Sequence, residues 1–300
     1  MEKDIILIIG GGGMSGIFSS GVLKAFEDSE ISNRIDSIYA VSVGACTGAR
    51  FLARESELGG RTFYTRFNTD RFISAHFVKY FFQVLQRKRS LSTKKVDEIL
   101  DFRYFTDVLL SSEDKIDMGK VEASPIPFYV KVFNKNKILH QYLPVRGPHA
   151  FDRVLASASM TPLTSLPNII DSEEFFDGDT IPSNLEADIA KRNPDKLVIK
   201  IDNSRNSFLG DFNLFALVVV YTLLRSMYGT EVSNLYFKNF FKRPFWRKRF
   251  RKYPNTLIIE NDVLVSSFEK NTELLKKTYY AGLAKGNEIS GKLLRPRHKF

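Results

Sequence analysis

The chain has 300 residues, 43% of them hydrophobic, and this apolar content excludes a disordered chain. Its formal net charge of +10 favours anionic partners, such as acidic lipid or nucleic acid. The one cysteine, Cys46, excludes an internal disulfide bond, so the fold does not require an oxidising compartment. The longest apolar run, residues 214–224, is far shorter than the roughly 20 residues that cross a bilayer.

The N-terminal part of the chain predicts alternating strands and helices. The short β-branched run at residues 4–9 ends at glycines and predicts a buried strand, and residues 16–29 predict the helix that follows. Residues 36–41 and 43–52 repeat this pair. The β-α-β-α order predicts a parallel sheet with right-handed crossovers.

Residues 57–125 are rich in aromatic and cationic residues and predict no clear strand. Four apolar residues within them have helical spacing: Phe77, Phe81, Val84 and Leu85. A helix with this face would either pack on the core or form a membrane-facing lid, and we favour packing on the core.

The rest of the chain predicts a hairpin and then mainly helices. Residues 127–133 and 137–142 predict the two strands of the hairpin, because both runs are apolar and the turn between them holds two asparagines. Further elements are expected in this order: a helix at 149–159, a helix at 183–192, a strand at 196–202, and long helices at 208–228 and 269–294.

A glycine-rich turn, residues 11–16, directly follows the first predicted strand. Bare backbone N–H groups at a helix start suit a negative charge. The candidate oxyanion-hole residues are therefore Gly11, Gly12, Gly13 and Met14. The same glycines match a dinucleotide-binding fingerprint, which is weak on its own.

The residue at the end of the second predicted strand helps to distinguish an oxyanion hole from a dinucleotide-binding site. A dinucleotide site needs an acid there, but Asp36 stands at the beginning of that strand and Ser42 at its end. Residues 40–45 place the Ser42 hydroxyl on a sharp strand-to-helix turn, as in a nucleophile elbow. The simpler alternative is that Ser42 only caps the helix. The placement favours an acyl group over a nucleotide.

A third motif, residues 175–179, supplies a candidate base. Asp-Gly is common in turns, so Asp177 has a structural interpretation as well as a catalytic one. None of the four histidines lies in a tight turn beside Gly or Ser: His76, His140, His149 and His298. A serine hydrolase built on this chain would therefore need a carboxylate base, and Asp177 is the candidate.

At this point the chain resembles the patatin-like phospholipases, over about residues 5–202. Four motifs stand in the family's order: the glycine turn with the helix after it, Ser42, residues 154–162, and Asp177. Residues 154–162 are similar to the family's A-S-x-A-x-P segment. The resemblance implies a lipid acyl hydrolase of phospholipase A type. It would use a Ser42–Asp177 dyad, without a histidine, a metal or another cofactor.

The resemblance also implies the fold and its division. We expect a three-layer α/β/α domain with a mostly parallel central sheet at residues 1–205. Residues 206–300 are expected to form a mainly helical C-terminal extension.

Three residues depart from the family pattern. Ser15 stands where a cation is usual, Ala40 replaces the first glycine of the elbow, and Asp179 replaces a Gly or Ala beside Asp177. A second carboxylate near Asp177 raises the proton affinity of one of the two. These departures keep an alternative open, namely a catalytically weak member that binds a membrane or a partner.

A basic and aromatic segment lies in the extension. Eight of the 15 residues from 238 to 252 are cationic and five are aromatic. Such a segment can place rings in a lipid interface and cations on phosphates, so we expect an anionic membrane surface as a partner. Nucleic acid is the less favoured rival, because rings also stack on bases. The candidate binding residues are Lys242, Arg243, Phe245, Trp246, Arg247, Lys248, Arg249 and Arg251.

The N-terminus shows no secretory signal, because residues 1–4 carry two acids and the apolar run after them is short. Without a signal or a spanning segment, we expect a cytoplasmic protein that binds membranes peripherally. The sequence leaves open the lipid head group, the acyl position and chain length, and the oligomeric state. It also leaves open whether the enzyme is a phospholipase, a neutral lipase, a thioesterase or a transacylase.

Overall fold

The computed structural model describes residues 3–74, 99–111, 113–164, 168–203 and 214–294. The helix predicted around Phe77 lies outside these residues. None of the helices in the described ranges is both long enough and apolar enough to cross a membrane.

A mixed sheet forms the centre of the molecule. In the described ranges the sheet has eight strands: β1 (Ile5–Ile9), β2 (Ile35–Val41), β3 (Phe128–Asn134), β4 (Leu139–Pro144), β5 (Asn168–Ile170), β6 (Glu173–Asp177), β7 (Leu197–Asp202) and β8 (Thr256–Glu260). The strand order is β5-β6-β3-β2-β1-β7-β8, and β4 pairs with β3. Strands β3, β2, β1, β7 and β8 are parallel, whereas β4 and β6 run antiparallel to β3 and β5 antiparallel to β6.

Helices cover the sheet. The α-helices are α1 (Ile17–Glu27), α2 (Val43–Leu52), α3 (Ser56–Thr62), α4 (Phe102–Leu110), α5 (Met118–Ala123), α6 (Ala150–Ala158), α7 (Leu185–Arg192), α8 (Leu214–Tyr228), α9 (Thr230–Phe240), α10 (Arg243–Phe250) and α11 (Thr272–Leu294). Every residue of β1 is buried, as expected for a central parallel strand with both faces covered. The core therefore lies on both sides of β1 and its neighbours.

The last helix, α11, packs directly on α1. Gly21 and Gly282 lie so close to the facing backbone that a methyl group at either would clash with a carbonyl oxygen, that of Tyr279 or of Phe18 respectively. Glycine at these positions lets the two helix backbones approach closely. Together with β8, which pairs with β7, this contact joins the C-terminal segment to the central sheet.

The expected α/β fold and the mainly helical C-terminal part are confirmed. The first two strands and helices, the hairpin β3–β4, strand β7 and the helices α6, α7 and α11 lie within a few residues of their predicted positions. The described part of the helix predicted at 208–228 is α8. The antiparallel pair β5–β6 and the strand β8 were not predicted. Each is short and carries charged or polar residues beside its apolar ones, so the pattern of a buried strand is weak.

Candidate active site

Ser42 lies at the turn between β2 and α2, in a strained backbone conformation. Its φ is 58° and its ψ is −134°, a combination that non-glycine residues rarely adopt. The turn is tight, because a methyl group at Gly44 would lie 2.6 Å from the carbonyl oxygen of Ile9 and 2.7 Å from that of Gly10. This is the local geometry of a nucleophile elbow. Ala40 replaces the first glycine of the elbow pattern. It is buried near the end of β2, so the fold accommodates its methyl group.

The elbow is also held from α6. The backbone N–H of Ser42 donates to Oγ of Ser157 at 3.1 Å, and the Ser157 hydroxyl donates to the carbonyl oxygen of Lys131 at 2.8 Å. Ser157 belongs to the segment that resembles the family's A-S-x-A-x-P motif. Its hydroxyl thus links the nucleophile turn to β3.

Strand β3 brings Asp177, at the end of β6, close to Ser42, because β3 pairs with both β2 and β6. Val41 pairs with Lys131 on one side of β3, and Asp177 pairs with Val132 in the antiparallel register. Two residues distant in sequence therefore end up beside neighbouring residues of one strand. The Ser42 side chain lies close enough to the Asp177 carboxylate for side-chain hydrogen bonding, which lowers the pKa of Asp177. The backbone N–H of Asp177 donates to the carbonyl oxygen of Ser159 at 3.0 Å, which fixes the end of the strand.

The carboxyl group of Asp177 is unusually basic for an aspartate. Only 1% of the residue is exposed, and burial together with the nearby charge of Asp179 raises its pKa from 3.8 to about 7. Hydrogen bonds from the Ser42 hydroxyl and from the Asp179 backbone N–H oppose this rise. Its pKa is thus in the range of a general base that works near neutral pH.

Asp179 forms an ion pair with Lys131 next to this carboxylate. The Lys131 ammonium donates to Oδ1 of Asp179 at 2.5 Å, and the two side chains are 3% and 42% exposed respectively. Partial burial opposes ionisation of Asp179, but the Lys131 charge and hydrogen bond outweigh it and lower the pKa of Asp179. Lys131 was not among the predicted site residues, because a lysine within an apolar strand carries no motif.

The glycine turn lies against Asp179 and Ser42. A methyl group at Gly11 would lie 2.8 Å from Oδ2 of Asp179 and 2.9 Å from Cβ of Ser42. Gly12 and Gly13 have φ values of 135° and 56°, in the region that favours glycine. The turn needs glycine both for space and for backbone conformation.

Two polar side chains hold the carbonyl groups of this turn. The Ser15 hydroxyl donates to the carbonyl oxygen of Gly12 at 2.8 Å. Nδ2 of Asn203, just beyond β7, donates to the carbonyl oxygens of Gly10 at 2.8 Å and Gly11 at 3.3 Å. Ser15, the residue that replaces the usual cation, therefore braces the turn. Asn203 was not predicted; a buried asparagine immediately after a parallel strand would have been the signal.

The N–H groups of the turn differ in their partners. Met14 donates its backbone N–H to the carbonyl oxygen of Ser267 at 3.0 Å. Within the described residues, no acceptor pairs with the backbone N–H of Gly11, Gly12 or Gly13. Of the four predicted oxyanion-hole residues, three thus have N–H groups that no described residue uses, and Met14 has one already engaged by Ser267.

Two cavities flank the turn. The apolar cavity, of about 50 Å³, is lined by Ser42, Met14 and mainly apolar side chains: Phe63, Phe67, Phe72, Leu100, Phe102, Phe105 and Met160. The polar cavity, of about 230 Å³, is lined by Gly10, Gly11 and Gly12 and by charged residues of β3, β7, α7 and α10. Ser267 lines both cavities. The glycine turn and Ser267 therefore separate an apolar compartment from a charged one.

The basic and aromatic segment forms helix α10, and its two faces differ. Arg243, Trp246, Arg247 and the buried Phe250 line the polar cavity. Phe245 is 71% exposed, and Lys242, Lys248 and Arg249 are also exposed. Arg251, just after the helix, forms an ion pair with Glu260. The eight predicted binding residues thus divide between the cavity wall, the outer surface and one ion pair.

Among the described residues, Cys46, His140 and His149 do not serve as the nucleophile or base of this site. Cys46 is buried, and burial raises the pKa of its thiol to about 12. His140 lies in β4 with Nε2 at 2.6 Å from the carbonyl oxygen of Ile181, and burial lowers its pKa to about 4. His149 contacts Asp152 at the molecular surface. His76 and His298 lie outside the described residues.

Comparisons with known proteins show the family of the chain. The family model described as "Patatin-like phospholipase" matches residues 7–191, more than half of the chain, so the chain belongs to the patatin-like phospholipase family. Membership supports lipid acyl hydrolysis as the general activity and lipid as the substrate. Both the resemblance and the fold expected from it are confirmed.

A solved structure adds a distant likeness. VipD from Legionella pneumophila is similar over 97% of this chain and 67% of its own length, with 12% sequence identity and a TM-score of 0.44. No curated protein matches the chain.

Proposed function

We propose that this protein is a lipid acyl hydrolase of phospholipase A type, with Ser42 as the nucleophile and Asp177 as the general base. The observation that supports the proposal is the position of the Ser42 side chain, which lies on a strained turn against the glycine turn and within hydrogen-bonding reach of the buried Asp177 carboxylate. A nucleophile, a base and oxyanion donors are the parts that acyl transfer needs.

The reaction proceeds in two stages. Asp177 accepts the Ser42 proton while the serine oxygen attacks the ester carbonyl carbon, and Gly12 and Gly13 donate N–H groups to the resulting oxyanion. The ester C–O bond then breaks, Asp177 returns the proton to the leaving alcohol, and an acyl-enzyme remains. A water molecule, deprotonated by Asp177, releases the fatty acid and restores Ser42.

Two of the predicted oxyanion-hole residues have narrower roles in this mechanism. Gly11 packs against Ser42 and Asp179, so it positions the turn. Met14 contributes its N–H only when the Ser267 carbonyl withdraws, because one donor cannot serve both oxygens well. The apolar cavity takes the acyl chain, since it opens at Ser42 and is lined mainly by apolar side chains.

The outer face of α10 suits a membrane surface. Phe237, Phe241 and Phe245 are exposed along this part of the chain, beside exposed cations. Rings can enter the lipid interface while each nearby cation gains about 1 kcal/mol from anionic lipid. Peripheral docking of this face on an anionic membrane is therefore part of the proposal.

Labelling with a fluorophosphonate probe tests the activated serine. Wild type should be labelled at Ser42, and Ser42→Ala and Asp177→Asn should both abolish labelling and the release of fatty acid from phospholipid vesicles. Ser20→Ala serves as the control, because that hydroxyl is buried in α1 and forms no hydrogen bond with any described residue. Absence of labelling in a folded wild type would instead favour the alternative, a patatin-like protein that only binds a membrane or a partner.

Vesicle sedimentation tests the docking face. Vesicles containing phosphatidylglycerol should pellet the wild type, and pure phosphatidylcholine vesicles should pellet much less of it. Lys248→Glu on α10 should weaken pelleting, whereas Lys277→Glu, an exposed lysine on α11, should not. Equal pelleting of the two variants would refute docking through α10, and retention of RNA in a gel shift would favour the nucleic-acid interpretation.

A further inference from the structure

Polar side chains hold three successive carbonyl groups of the glycine turn. Nδ2 of Asn203 donates to the carbonyl oxygens of Gly10 at 2.8 Å and Gly11 at 3.3 Å. The Ser15 hydroxyl donates to the carbonyl oxygen of Gly12, the next in the chain, at 2.8 Å. Because glycine has no side chain, the turn cannot fix these peptide groups by itself. Their orientation therefore depends on contacts from outside the glycines.

Holding a carbonyl group also fixes the direction of the N–H group that follows it. The peptide bonds of the turn are trans, so each carbonyl oxygen and the N–H of the next residue point to opposite sides of the chain. The carbonyl groups of Gly11 and Gly12 face Asn203 and Ser15. The N–H groups of Gly12 and Gly13 therefore face away from these two side chains. In the described ranges, no backbone acceptor pairs with either N–H group, and both are the ones assigned to the oxyanion.

Asn203 is itself fixed by contacts on both sides. It is fully buried, and its Oδ1 accepts the backbone N–H of Ser19 in α1 at 3.0 Å. Its backbone carbonyl oxygen accepts from Nδ2 of Asn261, a buried residue just after β8, at 3.2 Å. The amide group cannot turn over, because Oδ1 would then face two carbonyl oxygens and Nδ2 would face an N–H group. Asn203 lies beyond residue 191, where the family match ends.

We propose that Asn203 is a positioning residue for the oxyanion hole, and that Ser15 assists it. By holding two carbonyl groups from behind, they aim the N–H groups of Gly12 and Gly13 at the carbonyl oxygen of the ester. In this role neither side chain contacts the substrate. Oxyanion donors accelerate a reaction when they are fixed before the charge develops, and these contacts fix them. The role rests on the proposed function, because it requires that an oxyanion forms at this turn.

Asn203→Leu tests the role with little change of shape, since leucine resembles asparagine in size but neither donates nor accepts. We expect kcat for a soluble short-chain ester to fall about 100-fold, with KM within about threefold of wild type, because oxyanion contacts act mainly in the transition state. Ser15→Ala should lower kcat only about fivefold, the effect of one neutral hydrogen bond. The Ser15 backbone N–H, which also donates to the Gly12 carbonyl at 3.2 Å, remains in that variant.

A thionoester distinguishes a misaligned oxyanion hole from general damage. In this substrate sulfur replaces the carbonyl oxygen, and sulfur is the weaker hydrogen-bond acceptor. The ratio of kcat/KM for the ester to that for its thionoester therefore reports the hydrogen bonds to the oxyanion. Relative to wild type, this ratio should fall about tenfold in Asn203→Leu and about twofold in Ser15→Ala. Loss of folded enzyme would lower both rates equally and leave the ratio unchanged.

Asn255→Leu is the matched control. Nδ2 of Asn255 also donates to backbone carbonyl oxygens, those of Ala190, Asn193 and Lys196. Lys196 directly precedes β7 and Asn203 directly follows it, so the two asparagines act at opposite ends of that strand. Urea unfolding should show a similar loss of stability in the two leucine variants. Asn255→Leu should nevertheless keep the kcat and the ester-to-thionoester ratio of wild type.

Two results with folded Asn203→Leu would overturn the positioning role: a wild-type ester-to-thionoester ratio, or a kcat equal to that of Asn255→Leu. If Asn203→Leu does not fold, Ser15→Ala decides, and an unchanged ratio in that variant overturns the role. Failure of the proposed function is separate, since it appears as absence of fluorophosphonate labelling at Ser42 in wild type.

Discussion

Oδ1 of Asp177 accepts a 2.7 Å hydrogen bond from the backbone N–H of Asp179, so one short turn both stabilises the base and places a second carboxylate beside it. The hydrogen bond lowers the pKa of Asp177, whereas burial and the Asp179 charge raise it. Burial and the Asp179 charge have the larger effect, so the pKa of Asp177 is raised. Lys131 limits this rise by pairing with Asp179. The protonation of the dyad is therefore set by three residues and not by Asp177 alone.

The first prediction concerns the pH dependence of hydrolysis. Asp177 must be ionised to accept the Ser42 proton, and its pKa is about 7. We expect kcat/KM for a soluble short-chain ester to rise tenfold per pH unit below about pH 6 and to level off above about pH 8. Initial rates between pH 5 and pH 9 measure this profile. A profile that is already flat at pH 5 would contradict the assignment of Asp177 as the base.

The second prediction separates the side chain of Asp179 from its backbone. Asp179→Gly restores the family's Asp-Gly-Gly pattern and keeps the N–H that donates to Asp177, but removes the like charge. The pKa of Asp177 should fall, so the acid limb of the pH profile should move to lower pH. Lys131→Met removes the neutralising cation and should move the same limb to higher pH. Shifts in the same direction in the two variants would refute this account.

The third prediction concerns stability. The pKa of Asp177 is higher in the folded protein than its ordinary value of 3.8, so unfolding releases a proton between these two pH values. The native state therefore loses stability as the pH rises from about 4 to about 7, and the loss remains at higher pH. The full effect corresponds to about 4 kcal/mol at most.

Urea unfolding of wild type and Asp177→Asn measures this effect. The asparagine variant cannot ionise, so its stability relative to wild type should be greater at pH 8 than at pH 5 by a few kcal/mol. Ser42→Ala should extend the pH dependence to higher pH, because side-chain hydrogen bonding from Ser42 lowers the pKa of Asp177. A stability difference that is equal at the two pH values would show that Asp177 ionises normally.

The fourth prediction concerns the turn that holds Ser42. A methyl group at Gly44 would lie within 2.7 Å of two backbone carbonyl oxygens of β1 and the turn after it, which cannot move without shifting the sheet. Gly44→Ala should cost on the order of 2 kcal/mol of unfolding free energy, in the range of overpacked sites. Gly119→Ala is the control, because the atom nearest to its added methyl is a flexible carboxylate at 3.2 Å. Equal thermal stability of the two variants would contradict the tight elbow.

The motifs whose residues are neighbours along the chain could be predicted from the sequence. The β-branched run of β1, the glycines after it and Ser42 are neighbours along the chain, so their spacing alone indicates a strand, a turn and an elbow. The same holds for the Asp177 turn. Their order matched the family before any contact between them was known.

The contacts between these motifs depend on strand pairing that no local pattern contains. Ser42 meets Asp177 only because β3 pairs with both β2 and β6, and β6 was not predicted. Lys131 acts through contacts across the fold, and its residue type carried no signal. Ser157 and Asn203 had a signal only in their position, within a family motif and directly after a strand, which did not reveal their contacts. The sequence also did not indicate which residues of α10 line the polar cavity, because a run of cations has the same pattern whether its side chains line a cavity or face water.

The last prediction concerns the oxyanion turn itself. Gly13 has a φ of 56°, and a methyl group there would lie 2.6 Å from the carbonyl oxygen of Ser267. Gly13→Ala should therefore strain the turn and displace either the turn or Ser267, which misaligns the N–H groups. The loss of one well-placed oxyanion donor costs roughly 10²–10³ in rate, so we expect a fall in kcat of about 100-fold.

Gly147→Ala is the matched control, because Gly147 also has a positive φ, 77°, but its added methyl would meet nothing within 4 Å. Both variants should lose about 1–2 kcal/mol of stability from backbone strain, and only Gly13→Ala should lose activity. Equal activity of the two variants, measured with the same soluble ester, would show that the glycine turn does not hold the oxyanion.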